Sequence, residues 1–445
     1  MKTSIIKLQT PMNCKLAAGL LLGVLALSAR GDSVLLVGAT VHSISGETLS
    51  PGKVLIKDGK IEAVGTTIAA SGAQTIDLTG QHLYPGIIAL DTLLGLTEIG
   101  AVRATQDSSE VGEGYTPAVE SWIAVNPDSE LIPVSRGNGI AYFEPVPEGG
   151  IVTGQSGLVA VDGWTTEQRT LKKPLGLHLF WPSMELTISR ERGRARAKGG
   201  KSLEDQSKER RAKIRSLEDF FQEAAHYAKA KEASKSAGAA PNRVPDWEAM
   251  LPFVRGELPI MVHADDVRQI RAAVEWATTN HYKMILTGGR DAWMAADVLA
   301  SKKIPVVYSH TFTLPGKDTD SYDVHFKAPA LLAKAGVQVS FGNGLASMDA
   351  PLTKNLPYSA AQAVAFGLPE TEALKGLTLY PAQLCGVSDR LGSLEPGKEA
   401  TLFSSDGDIL DLRTHVTHLW LAGKEVRLES RHTRLYEKYK NRPRS

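Results

Sequence analysis

The chain has 445 residues, 42% of them hydrophobic, with 50 Lys and Arg against 49 Asp and Glu. That composition is ordinary for a folded globular protein and excludes collagen, coiled coil and disorder; at roughly 150 residues per domain the length holds about three domains, or one large barrel with an accessory module. A net charge of +1 gives no overall field to draw in nucleic acid or acidic lipid, so neither is expected as a partner.

The first thirty residues carry a targeting pattern. Lys2, Lys7 and Lys15 precede an apolar run from Leu16 to Leu27, and the small residues Ser28 and Ala29 follow. A run of about 12 residues is shorter than the ~20 that span a bilayer, so residues 1–30 read as a secretory signal peptide. The mature protein is then expected to be secreted or periplasmic, with no membrane contact after cleavage. Cys14 leaves with that segment, and Cys385 alone forms no internal disulfide.

Short strands come next. Val34–Val37, Gly52–Lys57 and Lys60–Val64 alternate or are rich in β-branched residues, and Asp58-Gly59 between the last two is a two-residue hairpin signal. Thr75–Leu78 and His82–Tyr84 add two more. The same texture returns near the other end in Ala400–Phe403, Val416–Leu421 and Glu425–Leu428, with a turn at Gly423. A few isolated hairpins bury too little surface to be stable, so residues 33–84 and 391–428 are expected to pair into one β-sandwich around an inserted barrel, 85–390, with 429–445 as a basic tail.

Between them the rhythm alternates strand and helix. Eight segments read as strands: Ile87–Leu90, Ile140–Val146, Leu158–Val161, Gly176–Phe180, Pro259–His263, Lys283–Leu286, Ile304–Tyr308 and Val337–Phe341. Asp266–Thr278, Ala292–Ala300 and Pro329–Ala335 read as helices. Short connections between alternating elements imply parallel pairing with right-handed crossovers. The fold class is therefore α/β, a (β/α)8 TIM-like barrel plus the small split sandwich. Two charged segments interrupt the rhythm: Leu96–Gly150 holds nine acidic residues against Arg103 and Arg136, and Ser189–Arg215 holds eleven basic against four acidic. The basic run has no interleaved aromatic residue and reads as a solvated helix face.

Other motifs fail. Gly149–Ser156 has a phosphate-loop shape with Gln155 where the lysine belongs, and reads as a tight turn with Ser156 as a loop serine. His415 and His418, three apart on a strand, point to opposite faces.

Several of these segments resemble the amidohydrolase superfamily, in the right order. They are the Lys57-Asp58-Gly59-Lys60-Ile61 turn, Ile76-Asp77-Leu78-Thr79-Gly80, Tyr84-Pro85-Gly86-Ile87-Ile88, Pro259–His263, Leu374–Gly386 with Thr378 and Pro381-Ala382, and Asp389–Ala400. The resemblance is nearest the imidazolonepropionase and prolidase-like branch. It implies a hydrolase of carbon-nitrogen bonds whose ligands, at the C-terminal ends of barrel strands, hold divalent ions that activate water.

Most positions that the resemblance assigns to metal ligands read otherwise here. The paired first-strand histidines are replaced by Asp91 and Leu93, the sixth-strand histidine falls near Thr287, and the last-strand aspartate near Gly344. His263 alone matches. A catalytic zinc takes three protein ligands plus water. The expectation is therefore at most one divalent ion, zinc or manganese, on His263 with Asp91 and His310 as helpers, and no binuclear centre. Pocket candidates are Asp91, His263, Asp265 and His310, with Asp266 and Glu98 near the same mouth. Two functions stand at this point. One is a hydrolase of non-peptide or small-peptide C–N bonds with a reduced or rebuilt metal site, taking a small molecule at the barrel mouth. The other is an inactive relative serving as a binding or assembly module. Homo-oligomerisation is left undecided.

Overall fold

The structure, a computed structural model, describes residues 33–110, 114–184, 201–236, 242–346 and 348–443. The expected signal peptide, and residues 189–200 of the basic run, lie outside the described residues. No helix of the described residues is long and apolar enough to cross a membrane.

In chain order the N-terminal strands are β1 (Ser33–Val41), β2 (Leu49–Lys57), β3 (Lys60–Gly65), β4 (Gln74–Asp77) and β5 (His82–Pro85). The next group is β6 (Ile87–Thr92), β7 (Ile140–Pro145), β8 (Val152–Gln155), β9 (Leu158–Ala160), β10 (Thr170–Lys172), β11 (Leu177–Phe180), β12 (Ile260–Ala264), β13 (Met284–Gly288), β14 (Val306–Tyr308) and β15 (Val339–Gly344). The chain then returns through β16 (Leu402–Ser405), β17 (Val416–Leu421) and β18 (Lys424–Glu425).

Both ends of the chain build one sheet, in the order β18-β17-β16-β5-β1-β2-β3, with β4 also on β1. The seam is the antiparallel pair β5–β16, which sets Tyr84 opposite Phe403 and Leu83 opposite Ser404. The Asp58-Gly59 turn forms as expected: Lys57 pairs with Lys60, and both turn residues have the positive φ, 49° and 79°, that a type I′ hairpin demands. Leu36, Val54, Ile56, Ile61, Leu83, Leu402 and Trp420 make a shared core from both halves.

The second sheet, ordered β10-β9-β7-β6-β15-β14-β13-β12-β11-β8, curls into a barrel. All eight expected barrel strands are present, and seven of them run parallel. The exception corrects the all-parallel expectation: β9 is antiparallel to β7, and the unexpected β8 is antiparallel to β11. Only residues 146–151 separate β7 from β8, whereas a crossover to a parallel strand needs a dozen or more. The chain must reverse, and β8 and β9 together, joined through Ser156-Gly157, bridge β11 to β7. The second half of the supposed turn at Gly149–Ser156 is thus strand, with buried Val152, Thr153 and Gln155.

Helices pack outside. The helix after β12, Val267–Thr279, starts on a capping box made by Asp266 and Gln269 and buries Ile270, Ala273, Val274 and Ala277 on one face. The helix expected at Pro329–Ala335 begins earlier, at Val324, so Pro329 lies inside it and not at its favoured first position. Ala292–Ala300 divides into a 3-10 turn, Ala292–Ala295, and the helix Ala296–Ser301. From Leu203 onward the basic run belongs to the long helix Leu203–Ser236, which buries only a stripe, Leu217, Phe221, Ala224 and Ala228, and meets the acidic segment where the Tyr115 and Ser216 hydroxyls lie 3.1 Å apart.

Candidate active site

Parallel strands end on the same side of a barrel, so residues far apart in sequence meet there. Asp91 sits at the end of β6, His263 near the end of β12 with Asp265 just past it, and Ser309-His310 just after β14. All of them line one cavity of about 580 Å³, together with Thr287, Gly344, Asp349 and the aromatic rings of Phe180, Trp181 and Phe312. Gly342 on β15 supplies the room: a side chain there would collide with the Ser309 hydroxyl and come within 3.1 Å of Asp91 Cβ. Asp91 itself has a left-handed backbone, φ 55°, an uncommon conformation that aims its carboxyl inward.

The two aspartates have opposite electrostatic fates. Asp91 is buried, and its Oδ2 accepts a hydrogen bond from Ser309 Oγ at 2.5 Å. Burial, reinforced by the carboxylates of Glu144, Asp265 and Asp349, pushes its pKa up to about 8 against the pull of the Ser309 hydroxyl, so at neutral pH it is chiefly a carboxylic acid. Its Oδ1 has no hydrogen-bond partner and lies 3.8 Å from His263 Nδ1. Asp265 is pushed up by burial too. There the hydrogen bond from His310 Nε2, at 2.8 Å, and the Arg290 backbone N–H, at 3.2 Å, outweigh burial and hold it below the usual carboxylate range. Asp265 and His310 therefore form a carboxylate–imidazole dyad.

His263 is half-buried on the cavity wall, and its desolvation, with His178 beside it, lowers its pKa well below the ordinary histidine value, which leaves a neutral ring. Its Nε2 is 2.9 Å from His178 Nδ1, and the ring stacks on Phe180 with centroids 4.1 Å apart and planes 6° from parallel.

Of the residues expected near the mouth, Asp266 is not on the cavity wall; it is spent on capping its helix, accepting from the Arg268 backbone N–H. Glu98 and Leu93 are also off the wall. His415 and His418 pair separately with Asp406 and Glu425 on the terminal sheet. Sequence reading missed Ser309, Asp349, Glu144 and His178. The last two had a signal, since an acid inside the apolar run Ile140–Val146 and an imidazole between Leu177 and Leu179 are polar groups in strands otherwise destined for burial. Ser309 and Asp349 had none, because their importance comes from neighbours across the barrel.

The metal centre implied by the resemblance was tested against this donor set. His263 Nδ1 and Asp91 Oδ1 face each other, but His310 Nε2 is committed to Asp265. Among the described residues no group of three or more His, Cys, Asp or Glu is arranged to hold a metal ion. The residues do not fit a binuclear centre, and the facing pair is one donor short of the three that a catalytic zinc takes.

Known proteins share this architecture. An amidohydrolase from Thermotoga maritima superposes with a TM-score of 0.77 at 28% identity, covering 88% of this chain and 99% of that one. A prolidase complexed with N-methylphosphonate-L-proline superposes at 0.52 with 16% identity over 88% of this chain and 99% of its own, a likeness of fold alone. In sequence, amidohydrolase tasK of Hapsidospora irregularis is 22% identical over 403 residues, 84% of this chain and 39% of that protein. The chain spans about two fifths or less of the length of the curated relatives it matches. The model of the Amidohydrolase family matches residues 168–427, more than half of the chain and most of the barrel with its return into the terminal sheet, and on that match the chain belongs to the amidohydrolase family.

Proposed function

We propose that this protein hydrolyses a carbon–nitrogen bond of a small molecule by acid–base catalysis at the barrel mouth. The observation that carries the reading is the divergence of two carboxyl groups on one cavity wall: Asp91 held protonated, Asp265 held ionised against His310. Oriented by Asp265, His310 takes a proton from water as its oxygen attacks the carbonyl carbon. Asp91 gives its proton to the departing nitrogen. One C–O bond forms, one C–N bond breaks, and the proton left on His310 returns to Asp91 through solvent. Ser309 keeps the Asp91 carboxyl aimed. No step is routed through a metal, because the donor set does not fit one.

The test is a panel of N-acyl amines, cyclic amides and dipeptides assayed for released amine with protein dialysed against a chelator, alongside elemental analysis. Turnover by the dialysed protein supports the reading. Recovery of two equivalents of zinc or manganese per chain, with activity that depends on them, overturns it. A second reading, a binding or assembly module, is favoured by Leu93, Thr287 and Gly344 standing at ligand positions of the resemblance; ligand binding in the cavity with no turnover of any panel member supports that one.

A further inference from the structure

Beneath the cavity the barrel buries a charge that the proposed reaction does not use. Glu144, on β7, is 2% exposed, and among the described residues its ion-pair neighbour is an imidazole, with no Lys or Arg in contact. Burying a carboxylate without a cation is costly, and only good hydrogen bonds make it tolerable. Glu144 has them: Oε1 accepts from Ser156 Oγ at 2.7 Å, and Oε2 from the Asp91 backbone N–H at 3.3 Å. The Ser156 hydroxyl is delivered by the reversed bridge of β8 and β9, so the departure from parallel topology is what completes this nest. Burial pushes the Glu144 carboxyl up, yet His178, Ser156 and the Asp91 amide together hold it below its ordinary value.

Above Glu144 stands His178, with no solvent exposure, its Nε2 3.4 Å from Oε1. The contact is long and off the axis of a formed hydrogen bond, so Nε2 has no hydrogen-bond partner by geometry. A nitrogen lone pair facing a carboxylate is nevertheless repulsive and an N–H attractive, so the proton belongs on Nε2. His178 Nδ1 is then an acceptor, and the 2.9 Å contact with His263 Nε2 is an N–H donated by His263. One nitrogen remains. His263 Nδ1 carries a lone pair, turned toward Asp91 Oδ1 at 3.8 Å on the cavity wall, and stacking on Phe180 holds the ring plane.

We propose that Glu144 and His178 are positioning residues that lock His263 in the Nε2–H tautomer, so that Nδ1 presents a fixed acceptor to Asp91 and to a water or substrate group entering between them. Two buried groups thus set a hydrogen-bond polarity that is read at the surface of the site. The kinetic consequence rests on the proposed acid–base reading; the tautomer itself does not.

The experiment is long-range proton–nitrogen correlation NMR on ¹⁵N-histidine-labelled full chain at neutral pH, with the two rings assigned by His178→Asn and His263→Asn. The wild-type protein is expected to show His263 protonated on Nε2 and bare on Nδ1. In Glu144→Gln the new amide N–H₂ can face His178 Nε2 and reverse both rings, so a population of His263 protonated on Nδ1 should appear. Ser156→Ala keeps the charge and should keep the wild-type tautomer. If Glu144→Gln does not fold, His178→Asn replaces it, with loss of the single tautomer expected. Wild-type His263 protonated on Nδ1, as an imidazolium at His178 would require, overturns the proposal, and so does an unchanged single tautomer in both Glu144→Gln and His178→Asn. If a substrate is turned over, kcat in Glu144→Gln should fall about 100-fold or more with KM nearly constant, the pattern of a wrong tautomer. The NMR result stands whether or not hydrolysis is found, so the two proposals fail separately.

Discussion

Trp420 in the terminal sheet and His178 in the barrel are both sealed from solvent, yet they are buried for different reasons. Trp420 packs among Leu36, Val54, Ile56 and Leu402, a core contributed by both ends of the chain, where burial of apolar surface is itself the driving force. His178 is wedged between a carboxylate and a second imidazole, where burial is a cost. The terminal sheet is built around apolar burial alone; the barrel, with apolar cores of its own, also keeps polar groups dry and oriented. Regions that serve stability should therefore respond to mutation in unfolding experiments, and regions that serve chemistry in turnover and pH dependence.

The largest expected effect lies at the dyad. Asp265→Asn and His310→Gln should each lower kcat by about 10²–10⁴-fold while the thermal midpoint stays near that of the wild type, because the pair sits at a partly open mouth. A wild-type rate in either variant would remove the dyad from the mechanism. Next comes the opposite pattern in the terminal sheet. Trp420→Ala should cost about 3–5 kcal/mol in urea unfolding, with turnover per folded molecule unchanged at low temperature. Loss of turnover in step with a small stability change would show that the two regions are not separable.

Asp91 connects the two kinds of behaviour. Its folded pKa, about 8, lies above the ordinary 3.8, so between these values the native state keeps a proton that the unfolded chain has released. Stability must then fall as pH rises through that window, and Asp91→Asn should flatten the fall. Urea midpoints for both proteins from about pH 5 to pH 8 measure this. Parallel pH dependences in the two would exclude Asp91 as the source. The smallest effect belongs to the surface: removing the ion pair between Arg434, on the helix Arg431–Lys440, and Glu130 should change stability by at most about 1 kcal/mol and turnover not at all. A larger loss would mean that the C-terminal helix supports the barrel.

Much of the architecture was legible because strand signals are local. The Asp58-Gly59 hairpin and the alternating or continuous apolar runs declare themselves within a few residues, and a segment such as Pro259–His263 needs no partner to read as a buried strand. Direction was harder. Leu158–Val161 has the composition of any barrel strand, and only the short link after β7 shows that the chain cannot cross over and must come back antiparallel. The candidate site was legible in part. Asp91, His263, Asp265 and His310 could be placed at strand ends, but the assignment of His310 to Asp265, away from the His263–Asp91 pair, depends on which side-chain atoms face each other across β12 to β14.

What the amino-acid order determined by itself, then, is most of the strands, the division into a two-ended sheet and an inserted barrel, and four of the polar groups at the mouth, Asp91, His263, Asp265 and His310. Only the tertiary structure decided that burial raises the Asp91 carboxyl, that His310 holds Asp265 below its usual range, and that Glu144 and His178 form a buried pair behind His263. The reason is physical. Backbone periodicity is set by near neighbours along the chain, whereas the protonation and hydrogen-bond polarity of a side chain are set by burial and by the charges around it, and here those are brought together from separate strands.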